Sequence, residues 1–292
     1  MGDNRLYKIA CGPYGDDLHW TDVLMRETQP RKLMHAMGMH FYCGSGREKQ
    51  PGAEFDDEDW YFLLKTALRM DELLTTQIAV MDRHDPDDRV GMLVDEWGTW
   101  HAVEPGTNER FLYQQNTMRD AVAASITLDI FHKHCRRVHG ANIAQTVNVL
   151  QAMILTRGEA MLLTPTYHVF DMYSRHHDAV HLPCDVRSET VSCADVEVPA
   201  LSACATGADD GSVHLTMTNL HVSREFTVSV TLHGYRGQQL EARVLCGDSP
   251  QAHNTFEEPT TLHPRDLAGV QQTDAGIEVP LPPASVAAVT LR

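Results

Sequence analysis

The sequence is short of positive charge. Lysine and arginine number 24 against 40 aspartates and glutamates, a formal net charge of −16. Such a surface repels nucleic acid and anionic membranes, so neither is expected as a partner, while neutral ligands such as sugars remain compatible. No apolar run approaches the roughly 18 residues that a membrane span needs. The first residues, Met1 to Arg5, lack the charged and apolar regions of a secretory leader. No two cysteines stand in CxxC spacing; the seven, at positions 11, 43, 135, 184, 193, 204 and 246, are odd in number and scattered. That pattern excludes a disulfide framework and a spaced zinc motif, and it fits a reducing compartment. The expectation is a soluble, cytoplasmic protein without a cofactor. Internal repeats and low-complexity tracts are absent as well. With 42% hydrophobic residues over 292, the chain can bury a sizeable core, in one large domain or two smaller ones.

The first part of the chain alternates strand and helix. Leu6 to Cys11 reads as a short strand ended by Gly12-Pro13, and Leu18 to Met25 as a helix. Ala36 to Tyr42 is a second strand. Asp56 is placed to cap a long helix, with Glu58 and Asp59 as first-turn acids and Trp60, Leu64, Ala67 and Leu68 at helical spacing to about Val80. A third strand follows from Val90. Leu112 to about His132 has helical periodicity, Ala141 to Ala144 reads as a strand, and Pro165 opens a helix over Tyr167 to Tyr173. This order predicts an α/β layout with parallel strands. From Leu182 onward the segments are short and alternate, as in Phe226-Thr227-Val228-Ser229-Val230-Thr231-Leu232, which predicts an antiparallel β-sandwich. The change of texture places a domain boundary near residue 178, giving domains 1–178 and 179–292.

The third strand carries the strongest chemical signal. Val90-Gly91-Met92-Leu93-Val94 is a near-continuous apolar run that stops at Asp95-Glu96 and passes into Trp97-Gly98-Thr99-Trp100. A buried parallel strand that ends at an active-site mouth reads this way, and a strand that ends in a solvated acidic loop does too. In the first case Glu96 would be a nucleophile or general acid in sugar chemistry, walled by Trp97 and Trp100. Asp95, adjacent on the strand, would point to the opposite face and make a structural hydrogen bond behind Glu96. His132, His134 and Cys135 invite a metal reading, but helix positions two apart do not share a face, so a histidine cluster at a helix C-terminus is the better account. His176, His177 and His181 read as surface residues at the domain junction, Cys43 as a small buried residue, and no metal site is expected.

Five runs together carry a family resemblance. Val94-Asp95-Glu96-Trp97-Gly98-Thr99-Trp100, Phe111 to Thr117, Ala141 to Ala152, Leu163 to Phe170 and Ala252 to Glu257 occur in the order found in intracellular α-L-arabinofuranosidases of glycoside hydrolase family fifty-one, which the chain resembles over nearly its whole length. The resemblance implies a retaining exo-enzyme that releases L-arabinofuranose from arabinose-containing oligo- and polysaccharides. It also implies a (β/α)8 barrel followed by a jelly-roll-like β-sandwich, usually in a homo-oligomer. On this mapping Glu96, at the end of barrel strand seven, is the nucleophile. Tyr42, at the end of strand six, orients it. Gln151 reaches a substrate hydroxyl, with Gln145 as the alternative, and Trp97 and Trp100 shape the mouth. Three positions depart from the pattern: His40-Phe41-Tyr42-Cys43 has Phe and Cys where relatives usually carry Tyr and Thr, and Gly140 stands where a larger apolar residue is expected.

The same mapping matches only about four β/α units, half of a barrel that typically takes about 250 residues. Retaining hydrolysis needs two carboxyl groups about 5–5.5 Å apart. The resemblance puts the acid/base glutamate in an Asn-Glu pair on strand four, ahead of Met1. Asn108-Glu109 lies in a loop and is not expected to replace it. The expectation is therefore a C-terminal portion, strands five to eight plus most of the sandwich, that carries the nucleophile without its proton donor and is inactive alone. The alternative is a non-catalytic chain that docks a separate N-terminal half or survives as a sugar-binding remnant, since open sheet edges favour association.

Overall fold

The protein is described by a computed structural model over residues 6–44, 46–235, 237 and 240–292. The reading of Met1 to Arg5 falls outside the described residues. Four strands, β1 (Ile9–Ala10), β2 (Ala36–Gly44), β3 (Gly91–Trp100) and β4 (Val138–Ile143), form one parallel sheet in sequence order. The helices α1 (Leu18–Thr28), α2 (Asp57–His84) and α3 (Met118–Lys133) connect them. Each strand thus lies beside its predecessor, as short crossover connections require.

The helix ends follow from local chemistry. Asp56 caps α2 by accepting the Asp59 N–H, and Asp57, Glu58 and Asp59 occupy the first turn, where the helix dipole favours acids. Along β2, Met37, Met39, Phe41 and Cys43 are buried toward the helices, while His40 and Tyr42 are half-buried on the opposite face. α3 begins later than its periodicity predicts. Leu112 has φ +51°, and Thr117 and Asp120 close a capping box, so the helix starts at Met118. The preceding residues are held in an irregular path by side-chain bonds such as Asn116 Nδ2 to Ala152 O at 2.8 Å.

After β4 comes a hairpin that periodicity does not announce, β5 (Ile154–Arg157) and β6 (Ala160–Leu163), turning at Gly158 with φ +62°. Thr164 then caps α4 (Pro165–Tyr173), with Pro165 in the first turn. The remaining strands are β7 (Val180–Leu182), β8 (Thr190–Cys193), β9 (Val196–Pro199), β10 (Leu201–Gly207), β11 (Val213–Asn219) and β12 (Phe226–Thr231). They continue as β13 (Leu240–Leu245), β14 (Arg265–Asp266), β15 (Gln271–Gln272), β16 (Gly276–Leu281) and β17 (Ser285–Leu291). One antiparallel sheet runs β14-β13-β17-β11-β10-β7, a second β12-β16-β15, and β8 and β9 form a hairpin. Leu215, Met217, Val279, Leu281 and Val289 fill the space between the two larger sheets.

Alternation predicts one wet face for these strands. β12 keeps one, but all seven residues of β11 are buried. The reason is α3, which covers the other face: Thr216 Oγ1 lies 3.3 Å from Asp129 Oδ1. The main apolar cluster accordingly continues past residue 178, joining Trp60, Leu64 and Val122 to Val198, Leu220 and Val286. Trp60 Nε1 donates to Leu220 O at 3.0 Å across this contact.

A buried ion pair fixes the foot of the parallel sheet. Arg137, 1% exposed, donates from Nη1 to Asp85 Oδ2 and to Val90 O, both at 2.8 Å, and from Nη2 to Asp85 O at 2.6 Å. The Asp85 carboxylate also accepts the Val90 N–H at 2.8 Å. One guanidinium therefore ties the end of α2 to the starts of β3 and β4. Burial alone would raise the Asp85 pKa, but the hydrogen bonds from Arg137, Val90 and Gln29 outweigh it and hold the group down to about 2. The folded pKa lies below the unfolded value of about 3.9, so this stabilisation is present above about pH 4 and is lost as pH falls toward 2. Arg137→Met leaves the buried Asp85 carboxylate with only Val90, Gln29 and a longer Arg89 contact at 3.4 Å, and is expected to cost about 3 kcal/mol, the low end for a broken buried pair, in urea unfolding at neutral pH. The gap between wild type and variant should narrow steadily below pH 4.

Candidate functional site

Glu96 stands in the carboxyl-terminal half of β3, four residues before its end, and an irregularity in the strand pairing aims it. Gly38 pairs with Leu93 but His40 pairs with Glu96, so Val94 and Asp95 together face the single residue Met39. This is a β-bulge. Before it, Met92 and Val94 point to the helices; after it, Trp97 and Thr99 do. The extra residue changes the phase of the strand and leaves both Asp95 and Glu96 on the face away from the helices. The expectation that Asp95 would point to the opposite face is therefore corrected by the bulge, although its hydrogen-bonding role is as expected. Its Oδ1 accepts the Met39 N–H at 3.2 Å and lies 3.3 Å from His40 Nε2.

Two groups contact the Glu96 carboxylate. Tyr42 Oη donates to Oε2 at 3.0 Å, and His40 Nδ1 is 3.4 Å from the same oxygen. Partial burial and then the Glu96 hydrogen bond and charge push the Tyr42 pKa up, so the phenol keeps its proton and acts as a fixed donor. Trp100 meets Tyr42 edge-on with ring centroids 5.2 Å apart, and Lys49 Nζ lies 5.4 Å from the Trp100 ring. His40 was missed in the sequence reading, yet it was legible: it stands two residues before Tyr42 and so shares its face.

Two sequence-predicted residues lie elsewhere. Trp97 is 1% exposed and stacks on Phe170, with Phe131 edge-on, inside the helix layer. It is a core residue and not a wall of the mouth. Gln151 is fully buried; its Oε1 accepts the Thr99 N–H at 2.8 Å, and its Nε2 donates to Asp120 O and Thr166 Oγ1. Both ends of its amide are thus engaged within the scaffold, and its burial keeps it from the surface of this chain. Its alternative, Gln145, is exposed, with φ +58°, just past the end of β4. Below the site, Asp120 accepts from Thr99 Oγ1 at 2.5 Å and pairs with His101 Nε2 at 2.8 Å. Burial works against the Asp120 charge, but His101, Arg119 and Thr99 keep its pKa below the usual range. This anchored network holds the residues after Trp97 in place.

Beside the same sheet end lies a cavity of about 780 Å³, lined among others by Phe111, Tyr113, Gln145, Asn148, Arg157 and Phe256. Arg157 lies 4.4 Å over the Phe256 ring and pairs with Glu257 at 2.6 Å. Aromatic faces with amide and guanidinium donors are the usual furniture of sugar binding.

The family described as alpha-L-arabinofuranosidase C-terminal domain matches residues 95–285. The chain belongs to this family. An intracellular exo-alpha-L-arabinofuranosidase of Bacteroides ovatus is 38% identical over 292 residues, 99% of this chain and 56% of that protein. The crystal structure of the family 51 (GH51) arabinofuranosidase from Xanthomonas axonopodis pv. citri superposes with a TM-score of 0.96 at 42% identity, covering 100% of this chain and 60% of that one. The family 51 enzyme AbfB of Bifidobacterium longum shares the fold at 23% identity, with a TM-score of 0.83. The chain corresponds to the C-terminal part of these family 51 proteins and spans little more than half the length of the first two.

The site geometry separates structural from exposed residues. Gln151→Ala should cost about 1–3 kcal/mol, because it leaves the Thr99 N–H and Asp120 carbonyl buried without partners. Gln145→Ala should stay within about 0.5 kcal/mol of wild type. Denaturant unfolding of the two variants checks this, and equal losses would refute the assignment of Gln151 to the scaffold.

Proposed function

We propose that the chain supplies the nucleophile half of a retaining α-L-arabinofuranosidase, with Glu96 attacking the anomeric carbon. The observation that carries this reading is the Glu96–Tyr42 contact at the carboxyl end of a parallel sheet, in a chain of this family. Tyr42 holds the carboxylate in one orientation, which is what in-line attack needs. Trp100 walls the site, and Gln145, not Gln151, is the amide that reaches a sugar hydroxyl. The relatives' names support cytoplasmic release of terminal L-arabinofuranose from oligosaccharides.

On this reading the four parallel strands are strands five to eight of a (β/α)8 barrel, and the antiparallel sheets are its β-sandwich, with the boundary near residue 178. The sheet supports this by its open edges. Among the described residues, β1 and β4 each pair on one side only. Leu6, Tyr7 and Tyr14, which flank β1 in sequence, and Trp20 and Leu33 between Tyr14 and β2 are about half exposed or more. An apolar edge of this kind favours a partner. We take that partner to be the N-terminal half of the family fold, bearing the acid/base carboxyl, with homo-oligomers formed by the completed unit. Alone, the chain should barely turn over natural oligosaccharides. General acid catalysis contributes about 10²–10⁴-fold, and lost positioning adds to the deficit.

The test is co-expression with the N-terminal half of a family 51 relative, followed by assay on arabino-oligosaccharides. Activity should appear only in the complex and vanish with Glu96→Gln. Efficient turnover by the isolated chain would refute the division of labour. The aromatic-lined cavity favours a second reading, a non-catalytic sugar-binding chain. In that case arabino-oligosaccharides bind the isolated chain, Glu96→Ala leaves the affinity unchanged, and no complex is active.

A further inference from the structure

We propose that His132, His176 and Cys204 form a binding site for a borderline-soft transition-metal ion, most simply Zn²⁺, where α3 meets the antiparallel sheet. One donor atom from each residue falls within 4.8 Å of the other two. His132 Nδ1 is 3.4 Å from Cys204 Sγ. Ligands at Zn–N of about 2.1 Å and Zn–S of about 2.3 Å lie about 3.6 Å apart in a tetrahedral site, so this edge is already formed. Small side-chain rotations close the others.

The surroundings suit an ion better than they suit a thiol. Cys204 is 2% exposed, and among the described residues the hydrogen-bond contacts of its sulfur are His132 and the Ala205 carbonyl, the latter at 4.0 Å. His176 is 5% exposed, not on the surface as its sequence position suggested. Its Nδ1 pairs with Thr206 Oγ1 at 2.8 Å, the kind of outer contact that fixes a ligand imidazole's tautomer. Its Nε2 has a longer contact, 3.2 Å to Thr216 Oγ1. Thr216 can turn its proton to Asp129 Oδ1, 3.3 Å away, and so free the Nε2 lone pair. His132 is held in place by stacking on Tyr173 at 5.9 Å. Burial lowers the pKa of His132 to about 4 and of His176 to about 3, so both imidazoles are neutral at pH 7. Burial also raises that of the Cys204 thiol, which therefore keeps its proton until an ion displaces it. Binding forms two N–metal bonds and one S–metal bond and releases the thiol proton to solvent. The fourth position is left to water. The ion would staple the last turn of α3 and the turn after α4 to β10. Pairing His132 with neighbours on its own helix could not have found this set, because Cys204 is 72 residues away.

The experiment is titration of the reduced, metal-free full chain with cobalt(II), then competition by zinc. One equivalent should bind with a thiolate-to-cobalt charge-transfer band and the visible bands of a tetrahedral ion. Cys204→Ser should abolish the charge-transfer band, Cys246→Ser should retain it, and Thr206→Val should weaken binding about 10–100-fold. Zinc should raise the melting temperature of wild type and not of Cys204→Ser. If Cys204→Ser does not fold by circular dichroism, His132→Gln takes its place and should weaken binding while keeping the band. Absence of the band in wild type overturns the proposal. So does a band that survives Cys204→Ser and disappears in Cys135→Ser or Cys184→Ser, and so does unchanged affinity in His132→Gln.

Discussion

One extra residue in β3 governs the site. A strand presents alternate side chains to its two faces, and a single inserted residue reverses every assignment beyond it. Val94 is fully buried on the helix side. Strict alternation would then send Glu96 to the helix side too, and Trp97 to the other face. The bulge opposite Met39 exchanges them: the indole fills the space between Phe131 and Phe170, and the carboxylate emerges beside Tyr42 and His40. The two consequences support each other. Placing a large apolar ring in the helix layer stabilises the same phase that exposes the acid, so the core holds the bulge in place.

The bulge also explains the local polar wiring. Asp95, the extra residue's carboxylate, is taken up by the Met39 N–H and lies beside His40 Nε2. A Cβ at Gly38 would come within 2.8 Å of the Asp95 carboxylate oxygens, so a larger residue there would displace this carboxylate from its present contacts. Downstream, Thr99 points to the helix side and bonds Asp120 in the first turn of α3, and the Thr99 N–H is held by Gln151. The strand end is therefore clamped on both sides of Glu96, from β2 on one side and from α3 on the other. Clamping of this kind holds the Glu96 carboxylate in one orientation.

How much of this was legible follows from the range of each signal. The alternation Met37, Met39, Phe41, Cys43 against His40 and Tyr42 lies within one strand, and the capping acids of α2 lie within one turn; both can be read locally. A bulge is a property of two strands, so Val94-Asp95-Glu96-Trp97 alone cannot reveal it. Trp97 and Gln151 look like site residues in a linear motif because they flank Glu96 and a ligand-like amide run. Only the fold shows them buried beneath the site. The burial of β11 was hidden for a similar reason: its threonines look solvent-facing until α3 is laid across them.

That contact between α3 and the β-layer bears on what the chain can do as a unit. The apolar cluster that carries α2 and α3 also contains Val198, Leu220 and Val286, and Trp60 and Tyr61 are hydrogen-bonded to residues 220 and 222. The parallel sheet is thus supported from its helix side by the antiparallel layer, without help from its own edges. Cores of this type contribute most of a domain's stability, while unpaired strand edges contribute association. Among the described residues, the sheet is braced on its helix face and β1 and β4 each pair on one side only, so the bracing leaves the Glu96 face uncovered.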